Sequence, residues 1–198
     1  MRTLLCVIGA ALLAAPGFAG PLTQGERGRA LSEFHASRKQ FLDAIEGLSP
    51  QQWNFKPDAK SWSVAECAEH IALSEDRLFG LVQKLAAGAA EPGRKADISD
   101  EAVLTGLRDR SQKAQAPEML QPKHEYPDRA QLTAHFKASR ERTLDYVRET
   151  GDELRGRFYP HPAAGTLDAY QWLLVISAHC QRHTAQILEV KANAKFPK

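Results

Sequence analysis

Apolar positions recur along this chain at helical spacing. From Gln24 to Leu48 they fall at Leu31, Phe34, Phe41, Ile45 and Leu48, a stripe down one face of a first helix. Ser49-Pro50 then opens a short helical turn through Trp53, since Ser caps well and Pro suits a first helical position. Asn54 to Lys60 reads as loop. Ser63 with Glu66 three residues on forms a capping box that starts a second long helix, whose stripe is Val64, Cys67, Ile71, Ser74, Leu78, Leu81 or Val82, and Leu85. It fades at Ala86-Ala87-Gly88. A third long helix, Arg129 to Thr150, turns Leu132, Phe136, Ser139, Thr143, Tyr146 and Val147 inward. The last, capped by Thr166 or Asp168, carries Trp172, Ile176, His179, His183, Ile187 and Val190 on one face and frays from Asn193.

Two stretches break this rhythm. Ala89 to Pro127 holds Pro92, Gly93, Pro117, Pro122 and Pro127 among many charges, with one weak helical run from Ser99 to Ala114; it reads as a mobile crossover on the surface. Gly151 to Gly165 is a turn-rich link. No alternating strand pattern and no repeat period appear. The expectation is an all-α fold, a four-helix bundle with a long, partly helical crossover between helices 2 and 3.

Composition narrows the picture. The chain has 198 residues, 43% of them hydrophobic, which suits one domain with its own core. Residues 1–19 have the pattern of a secretory signal peptide: basic Arg2, an apolar run from Leu4 to Ala15, a Pro16-Gly17 break and small Ala19. The domain is then 20–198, periplasmic or secreted, with no membrane attachment after signal removal. Net charge is +2 over the whole chain and falls to +1 once Arg2 is removed, with no basic run, so no nucleic-acid partner is indicated. A homodimer through an apolar helix face stays open. Beyond the leader only Cys67 and Cys180 remain, and in an oxidising compartment they are either a bridge between two helices or two buried thiols.

The chemistry sits in the last helix. His179 and His183, four apart in a run without Gly or Pro, leave one helix face about a turn apart, which is metal-ligand spacing. His70, at the seam of the second helix, is the best third donor. Three imidazoles leave a fourth position for water or substrate, as in catalytic zinc sites, and suit nickel, copper or iron as well. Such a cation acidifies water or a thiol. Glu66, one turn before His70, is the candidate catalytic acid or base, unless its carboxylate is used in the capping box. His35, His124 and His135 read as solvated or packed. H-C-Q-R-H is not C-x-x-C-H, which excludes covalent haem.

Trp62-Ser63-Val64-Ala65-Glu66-Cys67-Ala68-Glu69-His70-Ile71, following the Leu48 to Trp53 turn, together with His179-Cys180-Gln181-Arg182-His183, resembles the two signature segments of the DinB-like superfamily of metal-binding four-helix bundles. The resemblance runs over nearly all of the chain beyond the leader. It implies a divalent metal, zinc or nickel, held by His70, His179 and His183. It also implies a small-molecule substrate and either hydrolysis or thiol S-transfer, with a non-catalytic metal- or ligand-binding bundle as the alternative. The secretion signal departs from the thiol-using relatives, which work in the reducing cytosol.

Overall fold

A computed structural model describes residues 20–111 and 115–198; the expected leader at 1–19 lies outside the described residues. Helix α1 spans Gln24–Ile45 and begins in a capping box between Thr23 and Glu26. The short α2, Pro50–Asn54, is capped by Ser49 with Gln52. Helix α3, Val64–Ala86, starts at the Ser63/Glu66 box. Helix α5 covers Arg129–Glu149 behind Asp128. Helix α6, Ala169–Lys191, is capped by Asp168 with Gln171, which decides between the two caps open in the sequence. Each long helix thus begins at a side chain that accepts one of its free N–H groups.

These four helices form the expected bundle. Helix α6 packs between α1 and α3, and α5 packs against the same two helices. The α3–α6 seam, the most extensive of these contacts, brings residue 70 to residues 179 and 183.

The interior is two apolar clusters with a polar layer between them. One gathers Phe34, Val82, Leu144, Leu173 and Leu174; the other gathers Phe41, Ile71, Phe136, Cys180 and Ile187. Between them Arg140, fully buried, donates from Nε to Glu75 at 2.8 Å, and from Nη1 to the Phe34 carbonyl at 2.9 Å and Ser37 Oγ at 2.6 Å. Its Nη2 pairs with the other Glu75 oxygen, and its guanidinium lies over the Phe34 and Phe136 rings. A charge this deep persists because each guanidinium nitrogen has an acceptor and the carboxylate of Glu75 balances it.

Two expectations are corrected. The crossover is partly helical, as expected, but its α4, Asp100–Arg108, has Val103 and Leu104 fully buried and packs along α6, so this helix is part of the core rather than of a surface strap. It is also shorter than the Ser99–Ala114 run; residues 112–114 lie outside the described residues. The link before α6 contains a hairpin, β1 Phe158–His161 against β2 Gly165–Asp168, antiparallel, where no strand was expected. Gly165, at φ 70°, makes the turn, and a Cβ there would meet Asp97 Oδ2 at 2.6 Å. Among the described residues no helix is long and apolar enough to cross a membrane.

Candidate metal centre

The α3–α6 seam brings three imidazoles together. His70 Nε2 lies 3.0 Å from His179 Nε2 and 3.2 Å from His183 Nε2. Bonds of about 2.0–2.1 Å at tetrahedral angles place ligand nitrogens about 3.3 Å apart, so the spacing suits one shared cation. His70 is buried, while His179 and His183 are partly exposed, which leaves the site an open side.

The opposite nitrogens decide the proton positions. His70 Nδ1 is 2.7 Å from the Leu120 carbonyl, which can only accept, so the ring proton sits on Nδ1 and the Nε2 lone pair faces inward. His183 Nδ1 lies 2.9 Å from Gln186 Oε1. That Oε1 is the oxygen of the amide, because Arg110 Nη1 also donates to it, at 3.3 Å. Arg110 is in turn held by Glu189 through Nε at 2.7 Å and Nη2 at 2.8 Å. Two lone pairs aimed at a common point with a third imidazole nitrogen repel one another unless a proton or cation lies between them. The donor set therefore fits a divalent metal.

Electrostatics point the same way. Burial lowers the pKa of His70, and the bond to Leu120 only partly restores it. Burial, then the neighbouring His183 and His70, holds His179 well below its ordinary value. Burial, then His70, brings His183 down to about 3. All three are neutral at physiological pH, the ligand form. The Trp62 indole stands 5.0 Å from the His70 ring and 6.2 Å from that of His183, walling one side.

The remaining expected residues fall elsewhere. Glu66 is in the capping box: Oε2 accepts from Ser63 N at 2.7 Å and Oε1 from Lys56 Nζ at 2.8 Å. Burial pushes its pKa up, but Lys56 and Ser63 outweigh it and hold the group below the usual carboxylate value. The carboxylate is folded back toward its own helix start and is no part of the histidine cluster. Cys67 and Cys180 are free, buried thiols, pushed up by burial to about 12, and no bridge joins the helices. His35 is exposed, as expected. His135 binds Asp76 at 2.6 Å, and Ser139 donates to that same carboxylate, also at 2.6 Å. Gln186, Arg110 and the Leu120 carbonyl were missed in the sequence. Only Gln186 left a trace there, three residues after His183 on the same helix.

The sequence profile of the DinB superfamily matches residues 33–187. An uncharacterized protein of Bacillus subtilis strain 168, YuaE, is 28% identical over 161 residues, covering 81% of this chain and 96% of its own length. Among solved structures, YfiT from Bacillus subtilis, described as a probable metal-dependent hydrolase with an unusual four-helix bundle topology, superposes with a TM-score of 0.60. The match covers 89% of this chain and 91% of that one at 13% identity, which makes it a likeness of fold. With the profile spanning α1 to α6 and both histidine segments, the chain belongs to the DinB superfamily.

Proposed function

We propose that His70, His179 and His183 hold one divalent cation, zinc or nickel, and that the protein is an exported metal-dependent hydrolase or transferase acting on a small molecule. The observation that carries this is the convergence of three Nε2 atoms while two of the opposite nitrogens are committed to oxygen acceptors. The relative YfiT, described as metal-dependent, supports the same reading.

When bound, the cation supplies Lewis acidity toward a carbonyl, a water or a thiol. The protein supplies the rest. Leu120 and Gln186 hold two of the imidazoles in the ligating tautomer. Trp62 excludes water from one side and offers an apolar face to a substrate. Arg110 and Arg182 bias the neighbourhood toward positive potential, since both depress His183.

The commitment of Glu66 to Ser63 and Lys56 favours a second reading, a bundle that binds metal or ligand without turnover, because it removes the expected acid–base group. Elemental analysis of the purified protein tests the site: the wild type carries about one equivalent of zinc or nickel, and His179→Ala carries none. Unchanged metal content in His179→Ala would falsify both readings. Activity of the loaded protein on generic esters and on thiol acceptors separates them. Export is tested by the mass of the mature chain, expected to begin at Gly20.

A further inference from the structure

Glu69 precedes His70 on α3, is 4% exposed, and belongs neither to a cap nor to the three-histidine group. Its carboxylate accepts from three successive backbone N–H groups of the crossover. Oε1 takes Lys123 N at 3.0 Å and Glu125 N at 2.9 Å, and Oε2 takes His124 N at 3.1 Å. Consecutive N–H groups converge on one acceptor only where the backbone turns, and His124 provides that turn at φ 59°. It is the one non-glycine at positive φ among the described residues, a conformation that costs about 1 kcal/mol and persists where the surroundings enforce it.

Just upstream, Leu120 gives its carbonyl to His70 Nδ1. Neighbouring residues of α3 therefore grip both ends of the stretch 120–125, Glu69 through N–H groups and His70 through a C=O. Its other backbone holds are local, Leu120 N to the Pro117 carbonyl at 2.8 Å and Gln121 N to the Glu118 carbonyl at 3.2 Å, and none of these reaches 123–125. Residues 123–125 are exposed, and Met119 beside it is 59% exposed.

We infer that Glu69 is a positioning residue for the metal centre: by clamping the backbone at 123–125 it fixes the Leu120 carbonyl, which fixes the ring plane and tautomer of His70. This rests on the reading that the three histidines hold a divalent cation. Partners that orient a liganding imidazole are worth about 10–100-fold in metal affinity, and Glu69 acts one step further out, so about tenfold is expected. The coupling runs both ways: a cation at Nε2 strengthens the Nδ1–H bond to Leu120 and so orders the stretch that Glu69 holds.

Metal-free full-length protein titrated with cobalt(II), followed by its visible absorption, tests the inference. Glu69→Ala is expected to weaken cobalt binding about tenfold and to change the spectrum. Glu69→Gln is expected to lose less, because one amide oxygen can still take Lys123 and Glu125. Leu144→Ala, which loosens the other apolar cluster, is expected to lower the Tm without moving affinity or spectrum. Wild-type protein that takes up no cobalt overturns the metal reading and this inference with it. Wild-type uptake matched in affinity and spectrum by Glu69→Ala overturns this inference alone. Should both Glu69 variants fail to fold, hydrogen exchange of the wild type decides: amides 123–125 slowed by cobalt support the clamp, and amides indifferent to it overturn the clamp.

Discussion

At the scale of single residues, the site is shaped by what stands behind two of its imidazoles. Gln186 is the clearest case, since its oxygen accepts from His183 and from Arg110 at once. Gln186→Leu keeps the volume and removes the acceptor, so metal affinity should fall by about tenfold or more with little change in folding; a titration of the metal-free variant measures it. The two thiols offer a second check. Burial pushes Cys67 and Cys180 up to about 12, so a thiol reagent at neutral pH should find neither in the native protein. After denaturation it should find two in a chain that has lost its leader, and three if Cys6 is retained. The three histidines that converge were legible in the sequence, because H-x-x-x-H on an apolar stripe declares one helix face and His70 sits on a seam. Glu69 and Leu120 were not. Glu69 accepts from main-chain N–H groups and Leu120 acts through its own main-chain carbonyl, each across some fifty residues, and a main-chain group has no letter.

At the scale of elements, the helices were legible because each announces its start. Thr23/Glu26, Ser49/Gln52, Ser63/Glu66 and Asp168/Gln171 are capping boxes, and all four are formed. Two of the four use glutamine where α3 uses Glu66, and this makes a discriminating prediction. Glu66→Gln should preserve stability near neutral pH, metal content and any turnover, whereas Glu66→Ala should lose about 1 kcal/mol, a Tm lower by about 2–4 °C. If Glu66 were a general base, glutamine would abolish turnover while leaving the Tm in place. The pH dependence has a definite sign. The folded pKa of Glu66 is held below its ordinary value of 4.5, so its contribution is complete above pH 4.5 and is lost as pH falls through the lower folded value. That part of the acid slope in thermal melts should be missing from Glu66→Gln. The hairpin was illegible for the opposite reason: its strands are four residues long, one contains Pro160, and neither is long enough to show a period. The crossover was misread because Val103 and Leu104 are too few to announce a buried face, although α6 covers them completely.

At the scale of the whole molecule, the polar layer between the two apolar clusters decides how the bundle fails. Arg140→Ala would strand Glu75 in the interior and should cost about 3–5 kcal/mol, lowering the Tm by more than about 6 °C. The double change Arg140→Met with Glu75→Leu should recover most of that loss, because it removes both charges and fills the space. Denaturant melts of the three proteins measure the difference. The three histidines proposed to share a cation are divided very unevenly along the chain: two imidazoles are neighbours on α6 and the third is 109 residues from His179. In an unfolded polypeptide, drawing that third group in would cost about 4 kcal/mol of loop-closure entropy. A denatured chain is thus left with bidentate chelation, and full tridentate capture is a privilege of the docked helices, so metal uptake reports completed tertiary assembly and pulls the folding equilibrium toward it.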